Sequence, residues 1–176
     1  MKKIVRVFLA LLGGTLLFFC LMSALSMSTG VVRTQINFAE AWLAFITALF
    51  GPIIGLLVAL IGHALHDSVI LGGIWWSWVI ADGLFGLLLG LATQRLDLVR
   101  GTLTRQKLLY FNIWQLLANL IAWGVIAPLG DILIYGETLK SAFVQGLTAV
   151  VVNFGVIAIF GSLMLVAYNY FFRHQR

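Results

Sequence analysis

Apolar residues fill this chain in long runs, divided by short polar stretches and by glycine and proline. The first run, Ile4 to Met27, stands behind Lys2, Lys3 and Arg6. It exceeds the roughly 7–15 residues of a signal-peptide core, so it predicts a retained membrane helix, although Ser23-Ala24-Leu25-Ser26 has the small residues that cleavage sites use. Next, Phe38–Phe50 and Ile53–Leu65 flank Gly51-Pro52, a dipeptide that supplies a tight turn and lacks one backbone donor at a helix start. Each arm is shorter than an upright crossing of about 20 residues. They predict two short helices, or one hairpin that enters and leaves the membrane on the same side. Trp75–Leu91 reads as a further span, followed by the basic stretch Arg95–Lys107, a span over Leu108–Ala127, and a last one from about Ala142 to Phe172. The pattern predicts an all-α integral membrane protein. Its architecture is a six-transmembrane-helix bundle, with helices two and three short around Gly51-Pro52, and residues 1–176 forming a single domain.

Composition removes the competing classes. Of the 176 residues, 62% are hydrophobic and 10% are charged, where soluble domains carry roughly a quarter charged residues. Too few polar side chains exist to cover a water-facing surface, so the exterior faces lipid and the backbone is satisfied inside helices. Six crossings leave no length for a soluble catalytic or nucleotide-binding module, and no G-x-x-x-x-G-K-[ST] phosphate loop is present. The net charge of +5 does not point to nucleic acid, because the basic residues cluster beside apolar runs and form no stripe with interleaved aromatics. Cys20, the single cysteine, excludes an internal disulfide and a thiolate metal site.

The same basic residues orient the chain. In a six-span arrangement Lys2, Lys3, Arg6, Arg95, Arg100, Arg105, Lys107, Arg173 and Arg176 fall on one side, against Arg33 and Lys140 on the other. The positive-inside rule then makes both termini cytoplasmic. The outer loops become about Ser28–Asn37, His66–Ile74 and Pro128–Ser141, carrying Asp67, Asp131 and Glu137. Small-residue pairs, Gly86 with Gly90, Gly51 with Gly55 and Ala10 with Gly14, mark close helix approaches, either within the bundle or against a partner.

Polar groups inside the spans carry the candidate chemistry. Asp82 shares a helix face with Trp75 and Trp78, and that face turns inward because a lipid-facing carboxylate is costly. His63, His66 and Asp67 follow i, i+3, i+4 spacing on one face. Asn112, Gln115, Asn119 and Trp123 form a polar stripe on helix five, and Gln145 and Asn153 add amides on helix six. Together with Trp42, Trp75, Trp76, Trp78 and Trp123 as walls, these residues suggest a polar interior that opens outward. Simpler readings stand beside this one. The Trp75–Trp78 string suits an interfacial aromatic belt, His63 with Asp67 suits a satisfied polar pair, and buried amides often only bridge helices.

Four strings sharpen the picture. Thr29-Gly30-Val31, Leu49-Phe50-Gly51-Pro52 with Gly55, Gly62-His63-Ala64-Leu65 with Asp67, and Trp75-Trp76-Ser77-Trp78-Val79-Ile80 with Gly83 and Gly86 resemble an S-component family of energy-coupling factor (ECF) transporters. The resemblance implies a multi-pass cell-membrane subunit, not an enzyme, that captures a vitamin from outside and delivers it inward. Its implied partners are a transmembrane coupling subunit and two cytoplasmic ATPases, with Ala10 and Gly14 on helix one as docking positions. The implied vitamin is cobalamin, a transported substrate and not a cofactor. A corrin plane fringed with amides would suit Trp walls and polar groups, giving Arg33, Asn37, Trp42, His63, Asp67, Trp75, Trp78, Asp82, Asn119, Trp123, Tyr135 and Gln145 as substrate-binding candidates. His63 or His66 has the chemistry of a cobalt ligand, but His–Asp packing accounts for both without a metal. A different vitamin is one alternative. Others are an intramembrane metalloenzyme built on His63, His66 and Asp67, and a solitary proton-coupled transporter using Asp82.

Overall fold

A computed structural model describes residues 3–98 and 101–173. Helix α1 (Lys3–Ala24) leads into a two-stranded antiparallel hairpin, β1 (Ser26–Ser28) and β2 (Gln35–Asn37), in register Ser26 to Asn37 and Ser28 to Gln35. Then come α2 (Ala39–Phe50) and α3 (Pro52–His66), the latter prolonged by a π turn at Asp67–Leu71. Helix α4 (Trp76–Thr93) ends in a 3-10 turn at Gln94–Leu96. Helices α5 (Arg105–Ile121) and α6 (Ala127–Tyr135) join through a π turn at Ala122–Ile126. Helices α7 (Leu139–Val156) and α8 (Ser162–Arg173) join the same way at Ile157–Gly161.

Among the described residues five continuous helical stretches are long and apolar enough to cross a membrane: Ile4–Ala24, Pro52–Leu71, Trp76–Leu96, Arg105–Tyr135 and Leu139–Phe172. Helix α2, with 12 residues, falls short of the about 20 that an upright crossing needs. The expectation of two short helices around Gly51-Pro52 is thus corrected on one side, since α3 with its π turn runs for 20 residues. The expected outer loop Pro128–Ser141 also shrinks, because the helix continues to Tyr135 and only residues 136–138 separate it from α7. Pro128 reads as a breaker in the sequence, but it sits in the first turn of α6 behind the π turn, where a missing N–H is tolerated.

Glycine sets the packing of the first half. Gly51 adopts φ +89° at the α2–α3 junction, a conformation that costs glycine little, and its N–H closes α2 on the Thr47 carbonyl at 2.8 Å. Helices α3 and α4 then meet backbone to backbone. A Cβ at Gly86 would lie 2.6 Å from the Gly55 carbonyl carbon, and one at Gly90 would collide with the backbone of Pro52. The sequence pairs Gly51/Gly55 and Gly86/Gly90 are therefore two sides of one intramolecular seam.

Helix α1 packs on this unit through Gly14, where a Cβ would approach Ile46 and Val58 at 2.6 and 2.9 Å, and through Phe18 against Gly62. Ala10 is buried as well. Ala10 and Gly14, expected as a docking surface, instead fill the internal contact of α1 with α2 and α3. The core continues through Leu43, Val58, Phe85, Leu89, Phe111 and Ile157. Large apolar residues such as Phe8, Leu12, Val151 and Leu163 face outward, as lipid requires.

Basic residues gather at the seam end. The Arg6 guanidinium lies over the Phe50 ring at 5.6 Å, and Lys107 donates to the Leu96 carbonyl at 2.7 Å. Of the basic residues counted for orientation, Lys2, Arg100 and Arg176 lie outside the described residues.

Candidate functional site

At the opposite end of α3 and α4 from the seam, the elements part around a cavity of about 500 Å³. Met22 and Ser23 from the end of α1, Arg33, Gln35 and Asn37 from the hairpin, and Glu40 from the first turn of α2 form one side. His63, His66 and Asp67 from the end of α3, with Trp75 and Trp78 at the start of α4, form the other. Trp123 from the α5–α6 π turn, Ala149 and Asn153 from α7, and Ser26, Ile70, Leu71 and Gly73 complete the lining.

His63 and Asp67 hold the α3–α4 corner together. The His63 ring places Nδ1 2.6 Å from Asp82 Oδ2 and Nε2 3.5 Å from Asp67 Oδ1. Asp67 also lies 3.1 Å from His66 Nδ1 and accepts from the Trp75 backbone N–H at 2.9 Å. Its oxygens thereby fix the loop that presents Trp75. Asp82 does not line the cavity. It stands behind His63, fully buried, and sets the orientation of the imidazole.

The aromatic wall has a separate anchor. Asp131 on α6 accepts from Trp75 Nε1 at 2.7 Å, from Trp78 Nε1 at 2.9 Å and from the Ser77 hydroxyl. Charge-assisted bonds of this kind are among the stronger ones in a protein, so one carboxylate aligns two tryptophans. Trp78 meets Trp123 edge to face at 5.1 Å, and Tyr135 stacks on Trp75 at 3.8 Å. At the rim Arg33 lies over the Trp75 ring at 4.4 Å and pairs with Glu137 at 2.8 Å.

Of the residues expected at the site, the fold brings Arg33, Asn37, His63, Asp67, Trp75, Trp78 and Trp123 onto the cavity. Asp82 and Tyr135 stand immediately behind it, Tyr135 accepting from the Trp76 N–H at 2.7 Å. Three others lie elsewhere. Trp42 turns toward α1 and donates to the Gly14 carbonyl at 3.0 Å. Asn119 donates to Gln115 of its own helix at 2.9 Å, and Gln145 donates to Ser141 at 2.9 Å. These amides satisfy local backbone and side-chain groups. Helical periodicity gives a shared face but not what that face meets.

Sequence reasoning missed two residues. Glu40 is 3% exposed in a stretch read only as an apolar arm, although the argument that singled out Asp82, a charge with no reason to be in a hydrophobic run, applied to it equally. Asp131 was placed in an outer loop, because Pro128 hid the helix that carries it inward.

This architecture meets known proteins at two levels. The chain matches the family described as "ECF-type riboflavin transporter, S component" over residues 4–170. The chain belongs to that family. Among its relatives, a UPF0397 protein of Leuconostoc citreum is 56% identical over 155 residues, covering 88% of this chain and 82% of the relative. A UPF0397 protein of Streptococcus pneumoniae is 45% identical over 150 residues, covering 85% and 82%. The crystal structure of the S component for biotin from an ECF-type ABC transporter superposes with a TM-score of 0.69 at 15% identity, over 95% of this chain and 94% of that one. The two share a fold.

This S component is accordingly a multi-pass membrane protein of a vitamin transporter, and its family and fold are those of transport subunits and not of enzymes. The ECF resemblance carried by the Gly62–Leu65 and Trp75–Ile80 strings is borne out. Among the described residues no three His, Cys, Asp or Glu side chains group to hold a metal ion, and His63 points its Nδ1 at Asp82.

Proposed function

We propose that this S component captures a compact, ring-bearing vitamin in the cavity between Trp75, Trp78 and Trp123 and hands it to a transmembrane coupling subunit driven by two cytoplasmic ATPases. The observation that carries the reading is the cavity itself, about 500 Å³ with tryptophan walls and buried polar groups. Clefts of about 300–1,000 Å³ enclose drug-sized ligands, with apolar walls and a few polar groups fixing orientation. The family's riboflavin description and the biotin-specific structural neighbour are of that size class.

Cobalamin, the vitamin implied by the sequence resemblance, is far larger. Its corrin ring and pendant nucleotide would stand mostly outside this cavity, so the geometry favours the smaller ligand. The six-span arrangement with cytoplasmic termini belongs to the same proposal, with α2 as the short crossing. It puts Arg6 and Lys107 on the cytoplasmic side in agreement with the charge rule and opens the cavity outward.

Calorimetric titration of the purified protein with riboflavin, thiamine, biotin and cobalamin tests the reading. Saturable binding of one of the three small vitamins, without competition from cobalamin, is the expected result. Tight binding of cobalamin alone would overturn the size argument, and no binding of any would overturn vitamin capture.

A further inference from the structure

Buried amides on the last two spans look alike in the sequence and differ in the structure. Asn119 donates to the Gln115 carbonyl and to Gln115 Oε1, and Gln145 donates to Ser141. Asn153, on α7 and 4% exposed, lines the cavity, and its side-chain amide makes no hydrogen bond with any described residue. Unpartnered polar atoms elsewhere at this end, Glu40 Oε2, Asp82 Oδ1 and Trp123 Nε1, have no accessible surface, the two carboxyls lying against each other beside His63. The Asn153 oxygen and nitrogen are not sealed in this way. Buried polar groups are normally hydrogen-bonded, so an open, unpartnered amide on a cavity wall is a group left for a ligand.

Two neighbours on the cavity have the same character. Asn37 accepts from the Ala39 N–H through Oδ1 at 2.9 Å, which leaves its Nδ2 as a free donor. His66 turns Nδ1 to Asp67 at 3.1 Å, and in the tautomer that donates there Nε2 is an acceptor. The charged groups, by contrast, are committed. Asp67 holds His63, His66 and the Trp75 N–H, Glu40 lies against Asp82, and Arg33 is paired with Glu137 at the rim.

A carboxamide presents a donor and an acceptor side by side. Its complement is a ring edge that presents an acceptor and a donor side by side, the C=O and N–H of a lactam, cyclic imide or cyclic urea. We propose that Asn153 reads the substrate through such an edge, Nδ2 donating to the ring carbonyl and Oδ1 accepting from the ring N–H. This rests on the vitamin-capture reading and narrows it to an uncharged heterocycle edge held between tryptophan faces. Riboflavin and biotin carry one. The aminopyrimidine of thiamine also pairs a donor with an acceptor, but it comes with a fixed cation, for which the committed carboxyls leave no counter-charge.

The test is calorimetric titration of wild type, N153A and N153D, purified in detergent, with riboflavin, biotin, thiamine and cobalamin. Riboflavin or biotin is expected to bind in preference to the other two, and to bind N153A weaker by about tenfold or more, the worth of two neutral hydrogen bonds. N153D is expected to lose affinity as well, because a carboxylate keeps the shape but has no N–H to donate. Melting of the ligand-free protein separates this role from a structural one. N153A breaks no bond within the protein and should melt with wild type, whereas N119A loses its bonds to Gln115 and should melt lower while binding as wild type does. Binding by N153A or N153D equal to wild type would overturn the role of Asn153 and leave vitamin capture standing, as would a ligand-free N153A that melts as low as N119A. Preference for thiamine or cobalamin would overturn the substrate class alone. Absence of binding to all four would overturn vitamin capture and this role with it.

Discussion

Helices α3 and α4 are packed in opposite ways at their two ends. At the seam end Gly55, Gly86 and Gly90 bring the backbones together so closely that a single added Cβ has no room. At the cavity end the same helices diverge around His63, Asp67, Trp75 and Trp78, and the buried carboxyls of Asp82 and the adjoining Glu40 gather beside His63. Interiors are normally close-packed and their polar groups hydrogen-bonded. The seam obeys the packing rule, although the Thr47 hydroxyl against Gly55 is left without a partner among the described residues, and the cavity end departs from it. One helix pair thus combines a close-packed joint with a cavity lined by charged and aromatic groups.

The largest disturbance is expected from Gly86→Leu. Its side chain would meet the Gly55 carbonyl, and overpacking against backbone costs about 3 kcal/mol or more. Loss of monodisperse elution and a sharply lower melting temperature would register it. Breaking the other end has a different signature. Trp78→Ala removes an aromatic wall and its edge contact with Trp123, and buried aromatic anchors are commonly worth about 2 kcal/mol in binding. Vitamin affinity in calorimetry should fall about thirtyfold while elution stays unchanged.

Asp131→Asn sharpens the comparison. It leaves the shape intact but exchanges a carboxylate that accepts from Trp75, Ser77 and Trp78 for an amide with one fewer acceptor oxygen. A charge-assisted hydrogen bond lost here is worth about 1.5 kcal/mol, so roughly tenfold weaker binding is expected, with a shift in tryptophan emission reporting the freed indoles. Smallest is Arg33→Ala. The Arg33–Glu137 pair is solvent-exposed, and such pairs contribute less than about 1 kcal/mol. Titration should show a change of under about fivefold that shrinks further in high salt.

The two ends were also unequally legible in the sequence. Glycine spacing and the Gly51-Pro52 turn foretold the seam, because close approach leaves a mark that no other residue type can make. Ala10 and Gly14 carry the same mark, and it shows equally well for packing inside the bundle, which is where they lie. At the cavity the tryptophan string and the His63 group were readable, since charged and aromatic residues stand out in an apolar run. Glu40 stands out no less, as the one charge in the short apolar arm Phe38–Phe50. The amides of Asn119 and Gln145 drew attention for their polarity, yet their hydrogen bonds are local. The three π turns among the described residues leave no signal in composition or period. The one at Ala122–Ile126 brings Trp123 to the cavity and lets the helix run on through Pro128.

Hydrogen exchange measured with and without a saturating small vitamin, whichever of riboflavin, thiamine or biotin binds, tests the division most directly. Protection is expected to rise in the β1–β2 hairpin, at the start of α2 and across residues 63–78, with the Gly51–Gly55 and Gly86–Gly90 stretches unchanged. Protection that appears at the seam and leaves residues 63–78 untouched would contradict the account.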